Sequence, residues 1–139
     1  MLLKNYLPSI GSIYGVGTDL VVVTRITKLW NKYGLRFAKK ILNKVELAFL
    51  ENSKKPELFL AKKFAAKEAV VKALGTGFNF GVYITQIAIT NNKFGQPQVE
   101  YFGDTKNFIR NNIGDITTHV SISDEENLAL AFVVITKIT

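Results

Sequence analysis

The sequence predicts an α+β fold: a single compact domain over residues 1–139 in which a mainly antiparallel sheet packs against one long central helix and shorter helices. Three observations carry that expectation. Residues 59–77, FLAKKFAAKEAVVKALGTG, repeat Leu60, Phe64, Val71 and Leu74 at three-and-four spacing, the period of a helix with one face in a core. Residues 83–102 and 117–138 each hold two β-rich runs joined by a short polar segment, the pattern of a hairpin. A chain of 139 residues, 47% of them hydrophobic, has the size that buries one core.

Residues 13–23, IYGVGTDLVVV, read as a strand, with Gly15 and Gly17 spaced by two. Asp19 stands alone in this apolar run, where an acid is costly unless paired or bound to a cation. It is either a strand-end acid beside a turn or a ligand. Thr24 is placed to cap a helix whose buried stripe is Ile26, Leu29, Trp30 and Tyr33 and whose stop is Gly34. Arg25, Lys28 and Lys32 line an adjacent face, which is either a solvated surface or a docking ridge for an acidic partner. Residues 36–42 form a short further helical turn. Asn43-Lys44-Val45-Glu46 resembles a capping box opening a helix that carries Leu47 and Leu50, and residues 53–56 are a loop.

In the central helix, Lys67 falls within the apolar stripe, while Glu68 and Lys72, four apart, sit on its border. Ala61, Ala65, Ala66, Ala69 and Ala73 leave little bulk, so another element can approach closely and the charges lie at a packed seam. Taken by themselves Glu68 and Lys72 read first as a surface ion pair that supports the helix, and only second as a site. Gly75-Thr76-Gly77 stops the helix, glycine adopting the left-handed conformation without steric penalty and letting a backbone approach a ligand. After a loop over residues 78–81, strands 83–90 and 96–102 are joined by Asn91-Asn92-Lys93-Phe94-Gly95; Pro97 marks the second as an edge or irregular start. Residues 105–112 are helix or loop. Strand 117–123 puts Val120 and Ile122 on one side and His119, Ser121 and Ser123 on the other, either an anion-binding face or the polar face of a sheet. A polar turn at 124–127 leads to the apolar strand 128–138.

The absence of cysteine excludes disulfides and thiolate chemistry, and with a single histidine it excludes structural zinc. Residues 1–11 carry an apolar run interrupted by Lys4, Asn5 and Pro8, too short for a signal peptide or a membrane span, which points to a soluble, cytoplasmic protein. The net charge of +7 predicts attraction to something negative: nucleic acid, an anionic cofactor or an acidic protein. The basic residues form no tail, and there is no internal repeat.

Read together, GVGTDLVVVTRI at 15–26, RFAKKIL at 36–42, the whole of 59–77, NKFGQP at 92–97 and HVSIS at 119–123 form an ordered pattern over nearly the whole chain after residue 12. In this the chain resembles the short, single-domain 4'-phosphopantetheinyl transferases, the holo-[acyl-carrier-protein] synthases. The resemblance implies transfer of the phosphopantetheine arm of coenzyme A to a serine of apo acyl carrier protein, in support of fatty acid biosynthesis. It implies a magnesium ion held by Asp19 and Glu68, with these two and Lys72 as the catalytic set. Lys72, Lys63, His119, Gly75, Thr76 and Gly77 are the implied coenzyme A contacts, and Arg25, Lys28, Lys32 and Arg36 the implied docking face for the acidic carrier. It also implies a homotrimer with active sites between subunits, and neither nucleic acid nor membrane as a partner. The chain departs from the family pattern at Lys63, where arginine is frequent and lysine loses the bidentate fork, and at Asp124, where histidine is frequent. Residues 1–11 form an extension that the shortest members lack. A non-enzymatic basic binding module for nucleic acid or an acidic protein is the competing reading; it leaves Asp19, Glu68 and the glycine stop without a role.

Overall fold

The computed structural model describes residues 12–138; the expected N-terminal extension at 1–11 lies outside the described residues. Strand β1 (Ser12–Val22) leads directly into helix α1 (Val23–Tyr33), followed by α2 (Leu35–Ile41), α3 (Lys44–Leu50) and the long α4 (Pro56–Leu74). A 3-10 turn (Ile84–Gln86) precedes the hairpin of β2 (Ile87–Asn91) and β3 (Pro97–Tyr101); α5 (Gly103–Asn112) then leads to the hairpin of β4 (Ile116–Glu125) and β5 (Leu128–Lys137). The strands form two antiparallel sheets, one of order β1-β5-β4 and one of β2-β3. Tyr101 and Thr118 bridge them through a 2.7 Å hydroxyl contact. Burial pushes the Tyr101 phenol up to about 12, so it stays neutral and able to donate.

The alternation of β5 decides where the core lies. Ala129, Ala131, Val133 and Ile135 are buried toward α4, while Leu128, Leu130 and Phe132 are exposed on the opposite face. Helix α4 is buried along most of its length, through Leu60, Ala61, Ala65, Ala66, Ala69, Val70, Val71, Ala73 and Leu74. Each of its large apolar side chains contributes about 1.5 to 3 kcal/mol by leaving water. The helix begins at Pro56, three residues before the predicted start at Phe59, because proline at the first helical position has no N–H to leave unsatisfied.

Several local expectations are corrected. Val23 is helical, so β1 stops at Val22. Thr24 does not cap α1: the cap comes from the far hairpin, where Asn127 accepts from the Val23 N–H (2.8 Å, carbonyl) and from the Thr24 N–H (3.1 Å, side chain). In the predicted stripe of α1 only Ile26 is buried; Leu29 and Tyr33 are 37% and 43% exposed. The first hairpin starts at Ile87, residues 84–86 being a 3-10 turn, and the undecided segment 105–112 lies within α5. β4 runs on to Glu125, leaving a two-residue turn at Glu126 and Asn127 with Glu126 at φ 52°.

The capping box forms as expected, Asn43 accepting from Val45 N–H at 3.0 Å and Glu46 from Asn43 N–H at 2.8 Å. Glu46, however, does much more. Fully buried, it pairs at 2.6 Å with the equally buried Lys67 of α4 and accepts from the Ile89 N–H of β2. Lys67 also donates to the Ile41 and Ile84 carbonyls, at 2.6 and 3.2 Å. Burial pulls the Lys67 ammonium below its ordinary lysine value, and Glu46 opposes that fall. One ion pair thus ties α3, the end of α2, the 3-10 turn and β2 to the middle of α4.

Candidate active site

β1 crosses α4 at Gly15 and Gly17, and only glycine permits the approach. A Cβ on Gly17 would stand 2.0 Å from the Ala69 carbonyl oxygen, and one on Gly15 1.9 Å from that of Ala73. The alanines of the helix and the glycines of the strand are therefore one contact read from two sides. Alanine at Gly17 is expected to force the strand off the helix, at about 1 to 3 kcal/mol or more. It should lower both the melting temperature and the activity, because Asp19 rides on the displaced strand. A Gly17→Ala variant that melts like the parent would contradict the close packing.

The crossing delivers Asp19 to α4. Asp19 lies in mid-strand opposite Ala131, not at a strand end, on the face that packs against the helix. The Lys72 ammonium reaches over to donate to the Thr18 carbonyl at 2.8 Å and to Asp19 Oδ1 at 3.3 Å. Glu68 makes no ion pair among the described residues, so the surface pair with Lys72 does not form. Burial, and then the negative charge of Asp19, push the Glu68 carboxyl above its ordinary value, with Lys72 opposing. Two carboxylates from separate elements therefore bear on one another through their charge. Among the described residues no group of three or more acids, histidines or cysteines gathers anywhere. Two hard oxygen donors, completed by water and phosphate oxygens, suit magnesium, which is seldom caged by protein alone. The donor set fits that ion.

Other expected contacts fall elsewhere. Gly75 closes α4 at φ 80°, and the N–H groups of Gly75, Thr76 and Gly77 all point at the Val71 carbonyl, at 3.1, 3.2 and 3.3 Å. That loop's N–H groups are occupied by the helix end, and what it offers outward is surface. His119 shares a face of β4 with Ser121 and Ser123, as the alternation predicts, but it is the face away from α4: it pairs with Val134, while Asp19 pairs with the inward Ala131. Within one chain His119 and the acid pair are on opposite sides of the sheet. Lys63 is 8% exposed; its ammonium donates to the Ile89 carbonyl and lies 5.0 Å from the Phe59 ring centroid. Burial pulls it below its ordinary value, Glu46 opposing and Lys62 adding to the fall.

Two concavities were not foreseen. Lys63 lines a cleft of about 340 Å³ with Lys55, Lys62, Phe59, Pro97 and Ile122. Proline at 97 and the doubled lysine at 62 and 63 were the only sequence signals, and the elements that carry them meet only through the fold. A second hollow of about 390 Å³ lies between α1 and α2, with Leu29, Tyr33 and Phe37 as its floor and Arg36 and Lys40 at its rim. It explains why Leu29 and Tyr33 are not in the core. Arg25, Lys28 and Lys32 are exposed on α1, so the basic ridge exists as a surface.

A glycine-bearing strand pressed on an alanine-rich helix thus brings an acid from each element, Asp19 and Glu68, into the charge environment of one lysine, Lys72. The family model described as the 4'-phosphopantetheinyl transferase superfamily matches residues 15–133. The chain is 46% identical over 125 residues to a holo-[acyl-carrier-protein] synthase of Nitrosospira multiformis, covering 90% of this chain and 99% of the relative. The crystal structure of the Neisseria meningitidis synthase superposes with a TM-score of 0.85 at 42% identity, covering 90% of this chain and 99% of that one. That of the Bacillus anthracis synthase, in complex with CoA (3',5'-ADP), superposes with 0.76 at 31% identity, covering 90% and 97%. The chain belongs to the 4'-phosphopantetheinyl transferase superfamily and, within it, to the holo-[acyl-carrier-protein] synthases.

Proposed function

We propose that the chain transfers the 4'-phosphopantetheine arm of coenzyme A to a serine of apo acyl carrier protein, in the cytoplasm and in support of fatty acid biosynthesis. The observation that carries this reading is the meeting of Asp19, Glu68 and Lys72 where β1 crosses α4. Asp19 and Glu68 would hold a magnesium ion, whose chemistry there is to neutralise the pyrophosphate of coenzyme A. The carrier's serine oxygen attacks the phosphorus bonded to pantetheine, and the bond to the nucleotide's 5' phosphate breaks, releasing adenosine 3',5'-bisphosphate. Glu68, beside the attacking oxygen, takes the serine proton directly or through a water. Lys72, an exposed ammonium already beside the acid pair, stabilises the leaving phosphate oxygens. The cleft lined by Lys55, Lys62 and Lys63 suits the anionic nucleotide end, and the complex of the Bacillus anthracis synthase supports coenzyme A as the donor.

The outer face of the three-stranded sheet exposes Val16, Leu20, Leu130 and Phe132 side by side, an apolar surface that soluble monomers seldom leave open. Further copies of the chain would cover it, in the homotrimer the family resemblance implies. His119 at its border would then serve the acid pair of a neighbouring copy. On α1 and α2, Arg25, Lys28, Lys32 and Arg36 form the docking face for the acidic carrier, with the hollow floored by Leu29 and Tyr33 beside it. Arg25→Glu is expected to raise the KM for carrier about tenfold or more while leaving that for coenzyme A unchanged, since like-charge juxtaposition at an interface costs at least a kcal/mol or so. An increase in the coenzyme A KM instead would remove Arg25 from the docking face. The reaction itself is tested by chromatography: adenosine 3',5'-bisphosphate should appear only when coenzyme A and apo carrier are both present, and its absence would overturn the proposal.

A further inference from the structure

The three lysines of the 340 Å³ cleft are not equivalent. Lys63 is committed to the Ile89 carbonyl and hardly exposed. Lys55 makes no ion pair among the described residues. Lys62 is held at 2.7 Å by Asp124 Oδ1, both side chains about one-third exposed. Asp124 lies two residues beyond Ile122 on the same face of β4, and Ile122 lines the cleft. The lining residues themselves include no acid; Glu46 acts on Lys63 from within the core, and Asp124 is the carboxylate paired directly with one of the cleft's cations.

We infer that Asp124 sets how tightly the cleft holds the nucleotide end of coenzyme A, by competing with its phosphates for the Lys62 ammonium. The inference rests on the proposed use of that cleft for the nucleotide. A phosphate entering the cleft must share the Lys62 ammonium with Asp124 or draw it away, and in either case lies near a carboxylate of its own sign. Both effects weaken binding. Because the pair is partly exposed it is weak, so Asp124 loosens the site without closing it. The released adenosine 3',5'-bisphosphate carries the same nucleotide phosphates, so the same carboxylate eases product departure. Asp124 acts through Lys62 and touches no reacting atom; it is a positioning residue.

Titration calorimetry with adenosine 3',5'-bisphosphate on the full chain tests this. Asp124→Asn is expected to bind about two- to fivefold tighter, the range an exposed ion pair supplies, and the gain should shrink at high salt. Lys62→Gln should bind more weakly, and adding Asp124→Asn to it should recover little. The melting temperature of Asp124→Asn should stay within a degree or two of the parent, separating a change in affinity from a change in fold. Unchanged or weaker binding by Asp124→Asn, or a full gain in the Lys62→Gln background, overturns the competition. Lys55→Gln locates the failure. If it and Lys62→Gln both bind like the parent, the nucleotide lies elsewhere and the reading of the cleft falls too; if both weaken, only the role of Asp124 is lost.

Discussion

Glu68→Gln and Asp19→Asn are each expected to lower phosphopantetheine transfer by about a hundredfold or more, the range for removing one preorganised charge-stabilising group from a transfer site. The fold should survive. Among the described residues Glu68 has no ion pair to lose, and the charge of Asp19 bears on it at a cost, so removing its charge relieves repulsion. Neither variant should melt more than a few degrees below the parent. A second readout separates the metal from the chemistry. Magnesium that binds the folded chain raises its melting temperature by mass action, and that rise should vanish in both variants. A variant of either residue with normal transfer and a normal magnesium response would remove that residue from the site. Lys72→Met should behave differently, losing transfer while keeping the magnesium response, because Lys72 supplies charge to the leaving group and no oxygen to the metal.

Lys67→Met is expected to be the most damaging change to stability outside the site. It leaves Glu46 charged and fully buried without a cation, and breaking a buried pair from one side costs about 3 to 5 kcal/mol. For a chain of this size that is a fall on the order of 10 °C in melting temperature, readable by thermal denaturation. Glu46→Leu combined with Lys67→Met should not restore stability. The pair also satisfies the Asn43 and Ile89 N–H groups and the Ile41 and Ile84 carbonyls, which the double change would leave without partners. A double variant as stable as the parent would show that the network's backbone bonds carry little weight.

What was legible in the sequence was local or periodic. The apolar spacing of α4, the capping box at Asn43, the alternation that sets His119 with Ser121 and Ser123, and the row of alanines that lets another element approach α4 each need only a few neighbouring residues to be read. What escaped depends on partners far along the chain. The cap of α1 comes from Asn127, 103 residues beyond Thr24, and no local rule could rank it above Thr24 itself. Lys67 was visible as a lysine in an apolar stripe, but its partner Glu46 had a complete local explanation as the closing residue of a capping box. Lys72 had an equally good local partner in Glu68, and the crossing of β1 gave it Asp19 instead. Leu29 and Tyr33 have the spacing of core residues, yet α1 and α2 leave them lining a hollow. The two acids proposed for the site came from the family resemblance, since by itself Asp19 also read as a strand-end acid and Glu68 as half of a surface pair.

The most direct test of the central claim is the intact mass of an apo acyl carrier protein after incubation with the chain, coenzyme A and magnesium, alongside a chelator control and the Glu68→Gln variant. The predicted result is a gain of one phosphopantetheinyl group, lost with the chelator and with the variant. No gain on a carrier that an established synthase modifies, or a gain that neither the chelator nor the variant diminishes, would contradict the site at the crossing of β1 and α4.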